Sequence, residues 1–163
     1  DAAADYFAEM KWTPWIRVVE SDRAPKTTIS SGMYLPIPEG GDDPLGNRIV
    51  EVPEDPALAE IQRSPHSGFV AYVPVGSVKR GEELVTTGGG KTVSCATCHG
   101  ADLKGGTLAN VGGVPGLAGR SPSYLARQIY DIQRGARMGP NAAMAWPLIS
   151  WVLPITADSA TAG

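Results

Sequence analysis

The stretch Cys95-Ala96-Thr97-Cys98-His99-Gly100 decides how this chain is read. Two cysteines two residues apart, with a histidine directly after the second, form the attachment signature of a c-type haem. The spacing has a chemical reason. The thiols add across the two vinyl groups of one porphyrin, and the short turn between them brings the imidazole of His99 beneath the iron as proximal ligand. Thioether bonds hold the porphyrin permanently, so the surrounding domain need not bury a large core to retain it. Two rival readings are weaker. A zinc site needs four ligands, and Cys95, Cys98 and His99 are the only cysteines and one of only two histidines. A redox dithiol would want its pair between a strand and a helix of a βαβ unit, a pattern that does not flank this one. Haem attachment ranks first, a dithiol or disulfide second and zinc last.

Outward from the motif, the 163 residues amount to one generous domain or one and a half small ones. The 20 glycines and 14 prolines predict much irregular backbone, which suits a chain wrapped round a prosthetic group. Residues 1–94 carry 9 basic and 14 acidic side chains, net −5, and residues 95–163 carry 5 basic and 3 acidic, net +2. Haem propionates would offset that positive half, and there is no basic run, so nucleic-acid binding gains no support. The longest mainly apolar stretch, 142–155, spans 14 residues with Pro147 and Pro154 inside it, too short for a membrane span. No leader is read at Asp1. Attachment of this kind takes place on the oxidising side of a membrane, so the expected location is the periplasm.

Residues 1–11 read as an amphipathic helix, with Ala3, Tyr6, Phe7 and Met10 on one face. Residues 12–77 hold nine prolines and few helical signals. Short extended pieces stand out at 15–20, 32–37, 48–52 and 69–73, divided by turns such as Glu39-Gly40-Gly41-Asp42-Asp43-Pro44. Phe69-Val70-Ala71-Tyr72-Val73 is apolar almost throughout and is expected to be buried. The whole segment is expected to be an ordered but strand-poor wrap, with one short helix at 55–63. A helix is expected from Val78 to Leu84, ended by Gly88-Gly89-Gly90. That triple glycine serves either a tight turn close to the porphyrin edge or a flexible hinge. After the motif comes a glycine-rich loop at 105–119. Ser121 is the expected N-cap, and Pro122 the first residue, of a helix reaching about Gly135, with Leu125, Ile129 and Ile132 on its buried face. Arg120, Arg127 and Arg134 recur every seven residues and read as a solvated face.

An iron held by one histidine can be capped by methionine, capped by a second histidine, or left open. Met138 and Met144 follow the 121–135 helix, where the chain is expected to turn back over the opposite face of the porphyrin. Met144, among Ala142, Ala143, Ala145 and Trp146, is the preferred sixth ligand and Met138 the alternative; for both, plain core packing is the commoner fate. His66 lies in the turn Ser64-Pro65-His66-Ser67-Gly68 and is expected to be an exposed loop side chain.

Four segments carry a family resemblance: Cys-Ala-Thr-Cys-His-Gly at 95–100, Val-Pro-Gly-Leu-Ala-Gly at 114–119, Ser-Tyr-Leu-Ala-Arg-Gln at 123–128, and Gly-Ala-Arg at 135–137 ahead of Met144. Over about 75–148 the chain resembles class I c-type cytochromes, in particular the second domain of a bacterial two-domain, dihaem-type periplasmic cytochrome c family. The resemblance implies a mainly α class I cytochrome c fold, here with a Pro/Gly-rich, partly extended N-terminal wrap: residues 1–77 as helix plus wrap and 78–163 as the haem-binding domain. It implies that the Pro115 carbonyl accepts the Nδ1–H of His99, and that Arg137 approaches a haem propionate. Two departures stand out. The tail 157–163 lacks the pattern of a closing helix, while residues 1–11 resemble such a helix with nothing before it, as though an earlier domain were missing.

The expectation is a periplasmic electron-transfer protein, not an enzyme. It would carry one covalent haem c, attached through Cys95 and Cys98, with His99 and Met144 as iron ligands and with Pro115 and Arg137 beside it. The expected partners are redox proteins: a periplasmic dehydrogenase or quinol-oxidising complex upstream, and a terminal oxidase or reductase downstream. No membrane span is expected in this chain, although the wrap at 12–77 could seat it on a membrane complex. The alternative is a haem enzyme or ligand sensor with an open sixth position, peroxidase-like, for which no acid–base pair is in view.

Overall fold

Phe69–Val73 is the strand on which the first half of the chain is assembled. The computed structural model describes residues 1–9, 14–90, 92–109 and 111–137. In chain order the elements are α1 (Ala2–Glu9), β1 (Ile16–Glu20), β2 (Arg23–Pro25), β3 (Thr27–Ser30), β4 (Met33–Pro36), β5 (Asp42–Pro44), β6 (Val50–Pro53), a π-helical turn (Ala57–Ile61), β7 (Phe69–Val73), α2 (Ser77–Thr87), a turn at Gly88–Gly90, α3 (Ala96–His99), β8 (Gly106–Leu108), β9 (Gly112–Val114) and α4 (Pro122–Gln133).

β7 is central in a three-stranded sheet of order β1-β7-β6. It runs parallel to β1, with Ile16 opposite Phe69 and Glu20 opposite Val73, and antiparallel to β6, with Val50 opposite Tyr72. A strand flanked on both edges reads as a continuous apolar run, which is why Phe-Val-Ala-Tyr-Val belongs here. Val70, Ala71 and Val73 are buried, joined by Ala24, Leu35, Leu45, Val52 and Ala59 from the surrounding pieces. β3 and β4 form a hairpin across Ser31-Gly32, both at positive φ (50° and 78°), as a two-residue turn requires. β2 and β5 pair antiparallel, and β4 lies against β6.

The mainly α expectation is corrected here. About 34% of the described chain is helical and 26% is strand, spread over four small sheets, so the fold is not mainly α. The wrap expected to be poor in strands holds seven of them. The prolines explain the difference. Pro25, Pro36, Pro44 and Pro53 are each the last residue of a strand, where a missing N–H costs the ladder least. They cut β structure short without abolishing it. The helix expected at 55–63 is the π-helical turn, begun by the Asp55 carboxylate accepting the Leu58 N–H at 3.0 Å.

The second half is built differently. α2, α3 and α4 contain no buried residue, and every buried apolar side chain of the described residues lies between Ala24 and Val73. Leu125, Ile129 and Ile132 of α4 are half-buried. α1 is exposed along its whole length, with Tyr6 and Phe7 edge to face and 66% and 67% accessible. The expectations for residues 138–163, including Met138, Met144 and the missing closing helix, lie outside the described residues.

Leu45 is, among the described residues, the one large side chain with no exposed surface, and the Asp22 carbonyl accepts its N–H at 2.8 Å. Leu45→Ala is expected to cost about 2–5 kcal/mol in urea unfolding, by lost transfer free energy plus the cavity. A loss below about 1 kcal/mol would show that the strand half does not depend on this core.

Candidate functional site

Thr92 to Gly100 enters the site through a close approach. Gly88, Gly89 and Gly90 sit at φ 79°, 56° and 68°, a left-handed run that only glycine sustains readily. A Cβ on Gly88 would stand 3.3 Å from the Ser94 nitrogen and the Val93 carbonyl carbon, so the chain folds back tightly at the end of α2. The triple glycine is therefore a turn. Ser94 Oγ donates to the Val85 carbonyl at 2.7 Å and fastens the start of the motif to α2.

α3 is a single helical turn. The Cys95 carbonyl accepts the His99 N–H at 3.0 Å, and the Ala96 carbonyl accepts the Gly100 N–H at 3.1 Å. One turn places Cys95 and Cys98, three apart, on the same side, with His99 at the end. Both thiols are half-buried and unpaired with each other. Burial pushes the Cys95 thiol up, partly offset by a backbone hydrogen bond and reinforced by Cys98. Gly100 follows at φ 83° and ψ 156°, a region essentially closed to side-chain-bearing residues. The last letter of the motif is thus dictated by backbone geometry.

His99 Nδ1 lies 2.8 Å from the Pro115 carbonyl oxygen. A carbonyl only accepts, so Nδ1 carries a proton, and in the neutral ring that leaves the lone pair on Nε2. Two glycines set the carbonyl there. β8 and β9 form a hairpin that folds Lys104-Gly105 onto Pro115-Gly116. A Cβ at Gly105 would meet the Gly116 nitrogen at 2.7 Å, and one at Gly116 the Lys104 carbonyl oxygen at 2.8 Å. The seam is closed by the Gly105 N–H on the His99 carbonyl at 2.8 Å, and by the Leu117 and Ala118 N–H groups on the Leu103 carbonyl at 2.7 and 3.0 Å. Leu103 itself is at φ 57°, in a turn held by the Asp102 carboxylate accepting the Lys104 N–H at 3.1 Å. That backbone bond is the main cause holding the Asp102 carboxyl below its usual range.

Cys95, Cys98, His99 and Pro115 are thus brought together. Arg137 is exposed beyond α4, its backbone N–H on the Asp131 carbonyl at 3.1 Å, and no side-chain bond joins it to the motif among the described residues. His66 is exposed in its turn.

The residues present fit a covalently held porphyrin. Such a group needs two thiols on one side of a turn, an imidazole with its outer nitrogen free, and large apolar helix faces that no protein core already covers. Among the described residues no three His, Cys, Asp or Glu side chains gather as an ion site, whereas zinc would need its donors to converge. The Thr92 hydroxyl, three residues before Cys95, is buried without a hydrogen-bond partner among the described residues, a donor that suits an acidic substituent.

Three contacts to this site have no signal in the local sequence. The Trp15 indole N–H donates to the Gly119 carbonyl at 2.8 Å. Ser121 Oγ, which caps α4 by accepting the Tyr124 N–H, donates to Glu51 Oε2 at 2.6 Å. Glu20 Oε1 accepts the Val78 N–H at 2.6 Å in the first turn of α2, where a carboxylate also complements the helix dipole. Each joins the strand half to the helical half across 58 to 104 residues of chain.

No family model matches this chain, and no solved structure matches it. A curated protein, the thiosulfate dehydrogenase electron acceptor of Stutzerimonas stutzeri (strain A1501), is 42% identical over 62 residues. That stretch covers 37% of this chain and 27% of the relative, so the likeness is to a part of each.

Gly105→Ala forces both a left-handed backbone and a collision with the Pro115 strand. It is expected to cost about 1–3 kcal/mol in denaturant unfolding. A variant as stable as the parent would show that the seam can open without strain.

Proposed function

We propose that this chain is a cytochrome-like electron-transfer protein with one haem c bound through Cys95 and Cys98 and His99 Nε2 as proximal ligand. The observation that carries the reading is the 2.8 Å bond between His99 Nδ1 and the Pro115 carbonyl, directly behind a Cys-x-x-Cys-His turn. Once bound, the haem supplies a one-electron ferric–ferrous couple. Everything else is the work of the chain. Cys95 and Cys98 fix the position of the ring edge. His99, with its proton committed to a carbonyl, is turned and made more basic toward a metal. The half-buried faces of α2 and α4 would offer the ring apolar surface. Met144 is proposed as the sixth ligand, with Met138 as the alternative.

The relative's printed name supports an electron-carrying role without bond-making chemistry, and it supports a dehydrogenase as electron donor. Among the described residues no helix is long and apolar enough to cross a membrane. The chemistry of thioether formation supports the periplasm as the proposed site of work.

The test is an absorption spectrum of both oxidation states, with pyridine haemochrome to count haems. One haem per chain and a weak far-red ferric band from sulfur on iron are expected. Met144→Ala should abolish that band while leaving the haem attached. Loss of the band in Met138→Ala instead would move the ligand. A matured wild-type protein without colour, or one whose ferrous form takes up carbon monoxide readily, would overturn the proposal.

A further inference from the structure

We propose that Trp15 and Glu51 are positioning residues for His99: through these two side chains the three-stranded sheet holds the Pro115 carbonyl against the imidazole and so sets how strongly it donates to iron. This rests on the haem reading above and goes beyond it, since it gives the strand half a part in tuning the metal.

The segment from Pro115 to Ser121 is held at both ends. At its start the glycine seam and the Leu103 carbonyl, which accepts from Leu117 and Ala118, give the segment a pivot. At its end the sheet grips two residues. Trp15 N–H donates to the Gly119 carbonyl, and Glu51 accepts from the Ser121 hydroxyl. Both grips have rigid bases. The Trp15 carbonyl accepts the Phe69 N–H at 2.8 Å, and its ring stands edge-on to Phe69 at 5.8 Å between centroids. Glu51 projects from β6, opposite Ala71 of the central strand. The two grips come from opposite sides of β7 and land two residues apart, so they restrain the segment against tilting as well as sliding.

From Gly119 to Pro115 is only four residues. With the far end free, the segment can lift about the Leu103 carbonyl, and the Pro115 oxygen withdraws from His99 Nδ1. The sign of the consequence is fixed. A carbonyl on Nδ1–H gives the ring partial imidazolate character, which stabilises ferric iron over ferrous. Loosening it favours the ferrous state.

The test compares Trp15→Phe, which keeps the ring against Phe69 but lacks the N–H, with the parent in the haem-bearing full chain. The ferrous-to-ferric ratio at a fixed ambient potential should rise about threefold, roughly 28 mV at 59 mV per tenfold for one electron. The His99 Nδ1–H resonance should shift and exchange faster with solvent. Glu51→Ala should move both readouts the same way, and Glu51→Gln, which keeps an acceptor for Ser121, should restore them. A fully coloured Trp15→Phe protein with the parental ratio and an unmoved Nδ1–H resonance overturns the inference, whatever its melting temperature. So does a Glu51→Gln shift equal to that of Glu51→Ala, which would mean charge alone is acting. If Trp15→Phe does not fold, the Glu51 pair decides by the same readouts. A colourless parent removes the haem reading itself, an outcome distinct from either.

Discussion

The hydrogen bond between His99 Nδ1 and the Pro115 carbonyl is the constraint on which the site depends. It joins two segments sixteen residues apart, and it fixes a tautomer. A neutral imidazole has one donor and one acceptor nitrogen, and only the partner of the first decides which is which. Here that partner is a backbone carbonyl on a residue that has no N–H to offer. The Gly105–Gly116 seam is what lets the two segments approach this closely, because a Cβ on either side would push them apart. Gly100 is demanded by the same economy of space, sitting in a backbone region that other residues avoid.

Around this site the two halves of the chain solve the burial problem in different ways. The strand half packs a conventional core of Leu, Val and Ala centred on β7. The helical half has amphipathic helices whose apolar faces are only half-covered, and it borrows rigidity from its neighbour through Trp15, Glu20 and Glu51. Two of those partners are carboxylates at the first turn of a helix, α2 and α4, where unsatisfied N–H groups and the helix dipole favour negative charge. The acidic excess of residues 1–94 is therefore partly spent inside the molecule, on holding helix ends, and is not wholly a property of the surface.

Much of the site was legible in the sequence because its rules are local. A turn of helix fixes the geometry of Cys95, Cys98 and His99, and Ser121-Pro122 announces the start of α4 as an N-cap with proline at the first position. The extended pieces of the first half were also visible as β-branched runs bounded by turns. What went astray was their sum. The segment rich in prolines is expected to be poor in strands, whereas four of those prolines only set where a strand stops. The parallel pairing of β1 with β7 and the Trp15–Gly119 bond were out of reach for a different reason. They join residues 53 and 104 positions apart, and no local pattern encodes which distant edge a strand or an indole will meet.

That parallel pairing has a bearing on how the molecule comes into being. β1 cannot find its place until the chain as far as Val73 exists and has closed a long loop, a step whose entropic cost precedes any contact that rewards it. Hairpins such as β3–β4 and β8–β9 need no such wait. Yet every strand of the sheet that grips Gly119 and Ser121 ends by Val73, ahead of the turns around His99 in the order of synthesis. During synthesis the motif turn and its carbonyl follow, forming on local interactions beside strands that have already been made. The order of synthesis and the direction of stiffness in the finished protein therefore agree, both running from the sheet toward the turn that holds His99.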